Sequence, residues 1–168
     1  MKKPLRRTNN TILLAVEGYT DEAFTRHLKL IYCTRDLPIS VTIKNAKGKG
    51  PEGVADTIKS VMRTANFNHI GAIYDGDLCA APNTKKFFIE NKITEFISSP
   101  SIEATLLSVL GLKIGRNTDE CKALIERHLS GESTEQNFYT KHFPRTVLER
   151  GRITTSRLND LIIFMTRR

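Results

Sequence analysis

Leu13-Leu14-Ala15-Val16-Glu17-Gly18-Tyr19-Thr20-Asp21 runs from an apolar stretch straight into a glutamate, a glycine and a helix-starting pattern. A second apolar stretch closes in the same way, at Ile73-Tyr74-Asp75-Gly76-Asp77. Short continuous apolar runs bounded by turn residues read as buried strands. The segments between them carry helical periodicity. Ala23, Phe24, Leu28 and Ile31 recur at three- and four-residue spacings, with Thr20 as the expected cap of a helix reaching about Tyr32 and Asp21 and Glu22 in its first turn. Strands alternating with such helices imply βαβ crossovers, and the expected class is α/β with a mainly parallel sheet flanked by helices.

Outward from these two runs the same alternation continues. Residues 39–43 alternate as a strand, and 45–50 form a Gly/Lys loop. Pro51 suits the first turn of a helix to about Ala65, and 69–74 is the next strand. A polar loop after Asp77 leads to a short helix over 84–91, a strand over 93–98, and a helix opened by Ser99-Pro100 that runs to Leu110, where Gly111 stops it. Helices are expected near 118–130, 134–141 and 154–166, with Gly131 and Gly151 as punctuation. At 168 residues the chain fits one domain, with a core over about 11–110 and a helical C-terminal part over about 117–168.

Composition narrows the function classes. No apolar run approaches the ~20 residues that span a bilayer, so no membrane partner is expected. The basic start, Met1 to Arg7, is followed by too short an apolar stretch for a signal peptide and reads as a basic arm. Cys33, Cys79 and Cys121 lack CxxC or Cys/His spacing, which argues against a disulfide framework or structural zinc and favours a reducing cytoplasm. The formal charge of +8 is concentrated at the ends. Residues 1–10 hold four basic and no acidic groups, and residues 141–168 hold seven basic and two acidic. A polyanionic partner, DNA or RNA, follows as the expectation, with Lys2, Lys3, Arg6, Arg7, Lys47, Lys49, Arg167 and Arg168 as candidate contacts. Solvated basic tails are the plain alternative.

The acids carry the chemistry. In open parallel sheets the carboxyl ends of the strands border the ligand crevice, so Glu17 and Asp75 should face one another. Asp77, two residues beyond Asp75, leaves the same side of an extended chain. Glu103, in Ser101-Ile102-Glu103, opens a helix after another strand end, and Asp21 starts the first helix. Taken singly, a DGD is an ordinary turn and each acid an ordinary helix-start residue. Jointly, carboxylates with no evident cationic partner suit a hard divalent cation, Mg2+ or Mn2+.

The pattern Val16-Glu17-Gly18-x-x-Asp21 followed by a strand ending Asp75-Gly76-Asp77 resembles the Toprim domain of primases, topoisomerases, recombination mediators and nucleases, over roughly residues 11–110. Ser101-Ile102-Glu103 with Ala104-Thr105-Leu106-Leu107 is similar to the nuclease branch, that of overcoming-lysogenization-defect nucleases and RloB-type phage-defence proteins. The resemblance implies a Rossmann-like Toprim fold and a metal-dependent nuclease hydrolysing phosphodiesters, in phage defence or mobile-element biology. It also implies Glu17, Asp75 and Asp77 as catalytic and metal-binding residues, with Asp21 and Glu103 supporting a second metal. Relatives use a later lysine, for which Lys141 is a weak candidate. Some relatives fuse an ATPase, but no GxxxxGK[ST] occurs here, so an ATPase partner would be a separate protein. Another Toprim phosphoryl-transfer enzyme (primase or RNA-maturation ribonuclease), a phosphoaspartyl protein and a noncatalytic nucleic-acid-binding or effector protein are the alternatives. His27, His69, His128 and His142 share no ligand spacing, and Phe87-Phe88 reads as packing.

Overall fold

The computed structural model describes residues 10–167. Four strands, β1 (Asn10–Val16), β2 (Ile39–Asn45), β3 (His69–Asp75) and β4 (Thr94–Ser98), form one all-parallel sheet in the order β2-β1-β3-β4. The crossovers are α1 (Tyr19–Tyr32), α2 (Gly50–Met62) and α3 (Pro82–Glu90), and α4 (Ile102–Val109) follows β4. α5 (Thr118–His128), α6 (Gln136–His142), α7 (Arg145–Thr154) and α8 (Ser156–Met165) complete the described residues. The fold is α/β and Rossmann-like, and no helix among the described residues is long and apolar enough to cross a membrane.

The two-residue period of the central strands splits the core in two. Leu13, Ala15, Ile70, Ala72 and Tyr74 pack with Val54, Ala55 and Ile58 of α2 and Phe88 of α3. From the other face Ile12, Leu14, Val16, Ile73 and Phe96 meet α1, α4 and the C-terminal helices. Phe88 is fully buried and Phe87 packs beside it, so the pair is core material as expected. The C-terminal helices share the larger cluster: Cys121, Phe138, Phe143, Leu148, Leu158 and Phe164 all belong to it. Burying both faces is what makes β1 and β3 read as continuous apolar runs.

Three local expectations are corrected. Thr20 does not cap α1: the N-cap is Gly18, two residues earlier, and the Thr20 hydroxyl lies 3.4 Å from that of Ser133. α2 stops at Met62, because the N–H groups of Thr64 and Ala65 both turn back to the Val61 carbonyl. Gly151 does not punctuate but lies inside α7, a helix the sequence pattern did not indicate. A Cβ there would stand 2.7 Å from Val109 Cγ1 and 3.1 Å from the Val109 carbonyl oxygen, so the missing side chain lets α7 close on α4. Gly111, by contrast, ends α4 as expected, in a left-handed conformation at φ +70°.

Candidate carboxylate site at the sheet edge

Parallel pairing of β1 with β3, in register from Ile12–His69 to Val16–Ile73, delivers both strand ends to one edge. Pairing continues one step past β1, where the Glu17 N–H donates to the Ile73 carbonyl at 2.9 Å. This fixes the Glu17 backbone, and its side chain then reaches across the pair: Glu17 Oε2 accepts the Asp75 N–H at 2.9 Å. Asp75 in turn binds forward, its Oδ1 accepting the N–H of Ile102 at 2.9 Å, the first residue of α4. An acid on one strand therefore orients the next strand's acid, which anchors the helix that carries Glu103.

Glu103 is buried, with its Oε2 accepting the Ser101 hydroxyl at 2.7 Å. Asp21, in the first turn of α1, is only 4% exposed, and its Oδ1 has no hydrogen-bond partner. Buried carboxylate oxygens are nearly always satisfied, because an unpaired one costs the desolvation of a polar group. Burial pushes the Asp21 carboxyl up to about 7, with Glu17 and Glu103 adding to the rise and Arg157 and the Gly18 backbone opposing it. Asp75 is pushed up to about 8, by burial first and then by Asp21, Glu17 and Glu103. Glu17, Asp21, Asp75 and Glu103 thus act on one another as a single cluster of negative charge.

Asp77 does not join them: it is exposed in the turn after β3, and it is not among the groups that shift Asp21 or Asp75. Gly76 breaks the extended path that the two-residue spacing assumed. Its N–H donates to the Ser98 carbonyl at 2.6 Å, and a Cβ there would press on that same oxygen. Among the described residues no three Asp, Glu, His or Cys side chains stand in position to hold one ion together.

The expectation that the acids lack a cation is overturned by Arg157 of α8. Its Nη1 donates to Thr105 Oγ1 at 3.0 Å and its Nη2 to the Phe96 carbonyl at 3.2 Å, while its Nε has no partner. Thr105 in turn lies 3.1 Å from Ser98 Oγ, so the guanidinium is tied to β4 and α4 beside the cluster. Burial lowers its pKa to about 10 against the pull of Asp21 and Asp75. Lys141 has another partner, donating to Ser130 Oγ at 2.6 Å.

The basic candidates divide. Lys47 and Lys49 are exposed on the β2–α2 loop at the carboxylate edge, where the Gly48 N–H donates to the Glu17 carbonyl at 2.8 Å. That N–H is thereby committed and is not offered to a phosphate. Arg167 lies at the opposite edge: its carbonyl accepts from Asn10 Nδ2 at 2.8 Å, at the start of β1, and its charge acts on His69 at the start of β3. It does not rim the acids. Lys2, Lys3, Arg6, Arg7 and Arg168 lie outside the described residues.

His27 is a buried core histidine, its Nε2 2.8 Å from the Phe143 carbonyl and its Nδ1 3.0 Å from Gln136 Nε2. No family model, curated protein or solved structure matches the chain.

Proposed function

We propose that the chain is a divalent-metal-dependent phosphodiesterase acting on nucleic acid, a nuclease similar to the Toprim group. The observation that carries this reading is Asp21: a buried carboxylate with an unpartnered oxygen, among three other acids, at the sheet edge where ligands bind. The residues fit a hard cation in chemistry, since all four donors are carboxylates and their mutual repulsion is relieved by positive charge. One or two of the Glu17, Asp21, Asp75 and Glu103 carboxylates would hold Mg2+ or Mn2+ together with water and phosphate oxygens, and Asp77 stays outside in the adjoining turn. When bound, the ion supplies Lewis-acid polarisation of a phosphodiester and acidifies water. Glu17 holds Asp75 in place, Asp75 holds the start of α4, and Arg157 limits the net charge of the pocket.

Cleavage of labelled DNA and RNA oligonucleotides with Mg2+, Mn2+ or chelator tests the proposal, and the products also separate a nuclease from a primase. Metal-dependent hydrolysis that is lost in Asp75→Ala is the expected result; no hydrolysis of any substrate with either metal rejects it. Arg157 favours one second reading, a noncatalytic nucleic-acid-binding or effector protein whose acids are balanced by that internal cation. Nucleic-acid binding unchanged by chelator, without cleavage, would support it.

A further inference from the structure

Three exposed apolar side chains lie at the carboxylate edge. Tyr19, immediately after the Glu17-Gly18 turn, is 61% exposed; Leu78, immediately after Asp77, is 56%; Ile97, near the end of β4, is 46%. They come from three different segments, and the parallel sheet brings all three to its carboxyl edge. A Cβ on Gly50 would stand 3.3 Å from Leu78 Cδ1, and one on Gly76 3.2 Å from Ile97 Cγ2, so Leu78 borders the lysine loop and Ile97 the Asp75-Gly76-Asp77 turn. Lys47 and Lys49 stand on that loop, which the Gly48–Glu17 bond fastens to the first acid of the site. The edge that carries the acids therefore also carries two exposed cations and exposed apolar side chains.

We infer that this rim binds single-stranded nucleic acid, with unpaired bases packed on Tyr19 and Leu78 and the backbone phosphates on Lys47 and Lys49. The inference rests on the phosphodiesterase reading for its choice of polyanion. A duplex presents sugar and phosphate to a protein edge and keeps its base faces stacked inside, so it has little to offer three exposed apolar side chains. A single strand offers both surfaces together: phosphates for lysines and bare base faces for an aromatic ring. Charge fits the same occupant, since neither rim lysine forms an ion pair among the described residues. A neutral or basic protein segment would satisfy the apolar groups but leave the lysines without a counter-charge.

Fluorescence anisotropy tests this with labelled single-stranded DNA, its RNA counterpart and the matching duplex DNA, on the Asp75→Asn chain in Mn2+ so that the probes survive. Single strands are expected to bind at least tenfold tighter than the duplex. Tyr19→Ala and Leu78→Ala should each weaken single-strand binding about fivefold or more, the lower end of what removing a base stack costs, and leave duplex binding unchanged, while Tyr19→Phe keeps the preference. Equal affinity for both forms, equal losses on both, or no binding overturns the inference. The wild-type chain on the same probes separates it from the reading beneath it. A single-strand preference without metal-dependent cleavage leaves the rim standing and removes the nuclease, whereas cleavage without strand preference does the reverse.

Discussion

Glu17 accepts the backbone N–H of Asp75 at 2.9 Å, so the first acid of the site is also the hydrogen-bond partner of the second acid's main chain. A structural and a chemical role are thereby superimposed on one side chain, and substitution can separate them. Glu17→Ala leaves the Asp75 N–H without its acceptor and should cost about 1 kcal/mol in urea unfolding. Glu17→Gln keeps an oxygen for that N–H, so stability should return while metal-dependent cleavage does not. Cleavage restored along with stability would reduce Glu17 to a structural acceptor.

The raised carboxyls set a sign for the pH dependence. Asp21 at about 7 and Asp75 at about 8 bind protons in the native state that the unfolded chain has lost, so their contribution is full at low pH and declines as pH rises through their folded values. Without metal, stability should fall by about 2–4 kcal/mol between pH 6 and pH 9, and Asp75→Asn, which keeps an oxygen for the Ile102 N–H, should flatten that fall. Denaturant titrations in chelator across this range measure it. A curve that rises with pH would mean that the acids are held ionised by their surroundings.

Manganese should reverse the trend. An ion that binds the native state at a hundredfold excess over its dissociation constant stabilises by about 2.7 kcal/mol, and it must displace the protons on Asp21 and Asp75 to do so. Thermal melts should therefore show a larger manganese shift at pH 8.5 than at pH 6, and a much smaller one in Asp21→Asn. Equal shifts in wild type and mutant would place any bound ion elsewhere.

What the chain disclosed before folding, and what it withheld, follows from the range of each signal. β1, β3, α1 and α2 are written in local periodicity, because each buries a continuous run or one helical face. That Glu17 and Asp75 share one edge also followed from parallel pairing, whereas their direct opposition required β3 to pair with β1, which crossover handedness does not fix. Arg157 was illegible. It comes from α8, and nothing in Ser156-Arg157-Leu158 distinguishes it from a solvated basic residue of a positively charged C-terminal part. α7 was hidden by Gly151, whose meaning depends on Val109 in another helix. Asp77 was overestimated because the spacing rule holds only while the chain stays extended, and it turns at Gly76.

Arg157 competes electrostatically with any cation in the pocket. Arg157→Met keeps the apolar stem and deletes the charge, and it should tighten Mn2+ binding about tenfold in titration calorimetry, given the strength of charge interactions at a partly buried site. Arg157→Lys should remain near wild type. The same Met variant should lose some stability, because its bonds to Thr105 and the Phe96 carbonyl go with the guanidinium. Unchanged metal affinity in a folded Arg157→Met protein would show that the guanidinium serves α8 docking alone.

The two edges of the sheet make opposite predictions for salt. Lys47 and Lys49 stand beside the acids, so replacing both with Ala should weaken nucleic-acid binding. The slope of log affinity against log salt should fall by about 0.7 for each single-strand phosphate that is no longer neutralised. Arg167 is held at the far edge by Asn10 and stacks its guanidinium on Phe164 at 5.6 Å, so Arg167→Ala should leave the slope unchanged. Salt titrations of the three proteins against one labelled oligonucleotide measure both. If Arg167→Ala flattens the slope and the lysine pair does not, the polyanion binds the amino-terminal edge, and the carboxylates at the other edge cannot be acting on it.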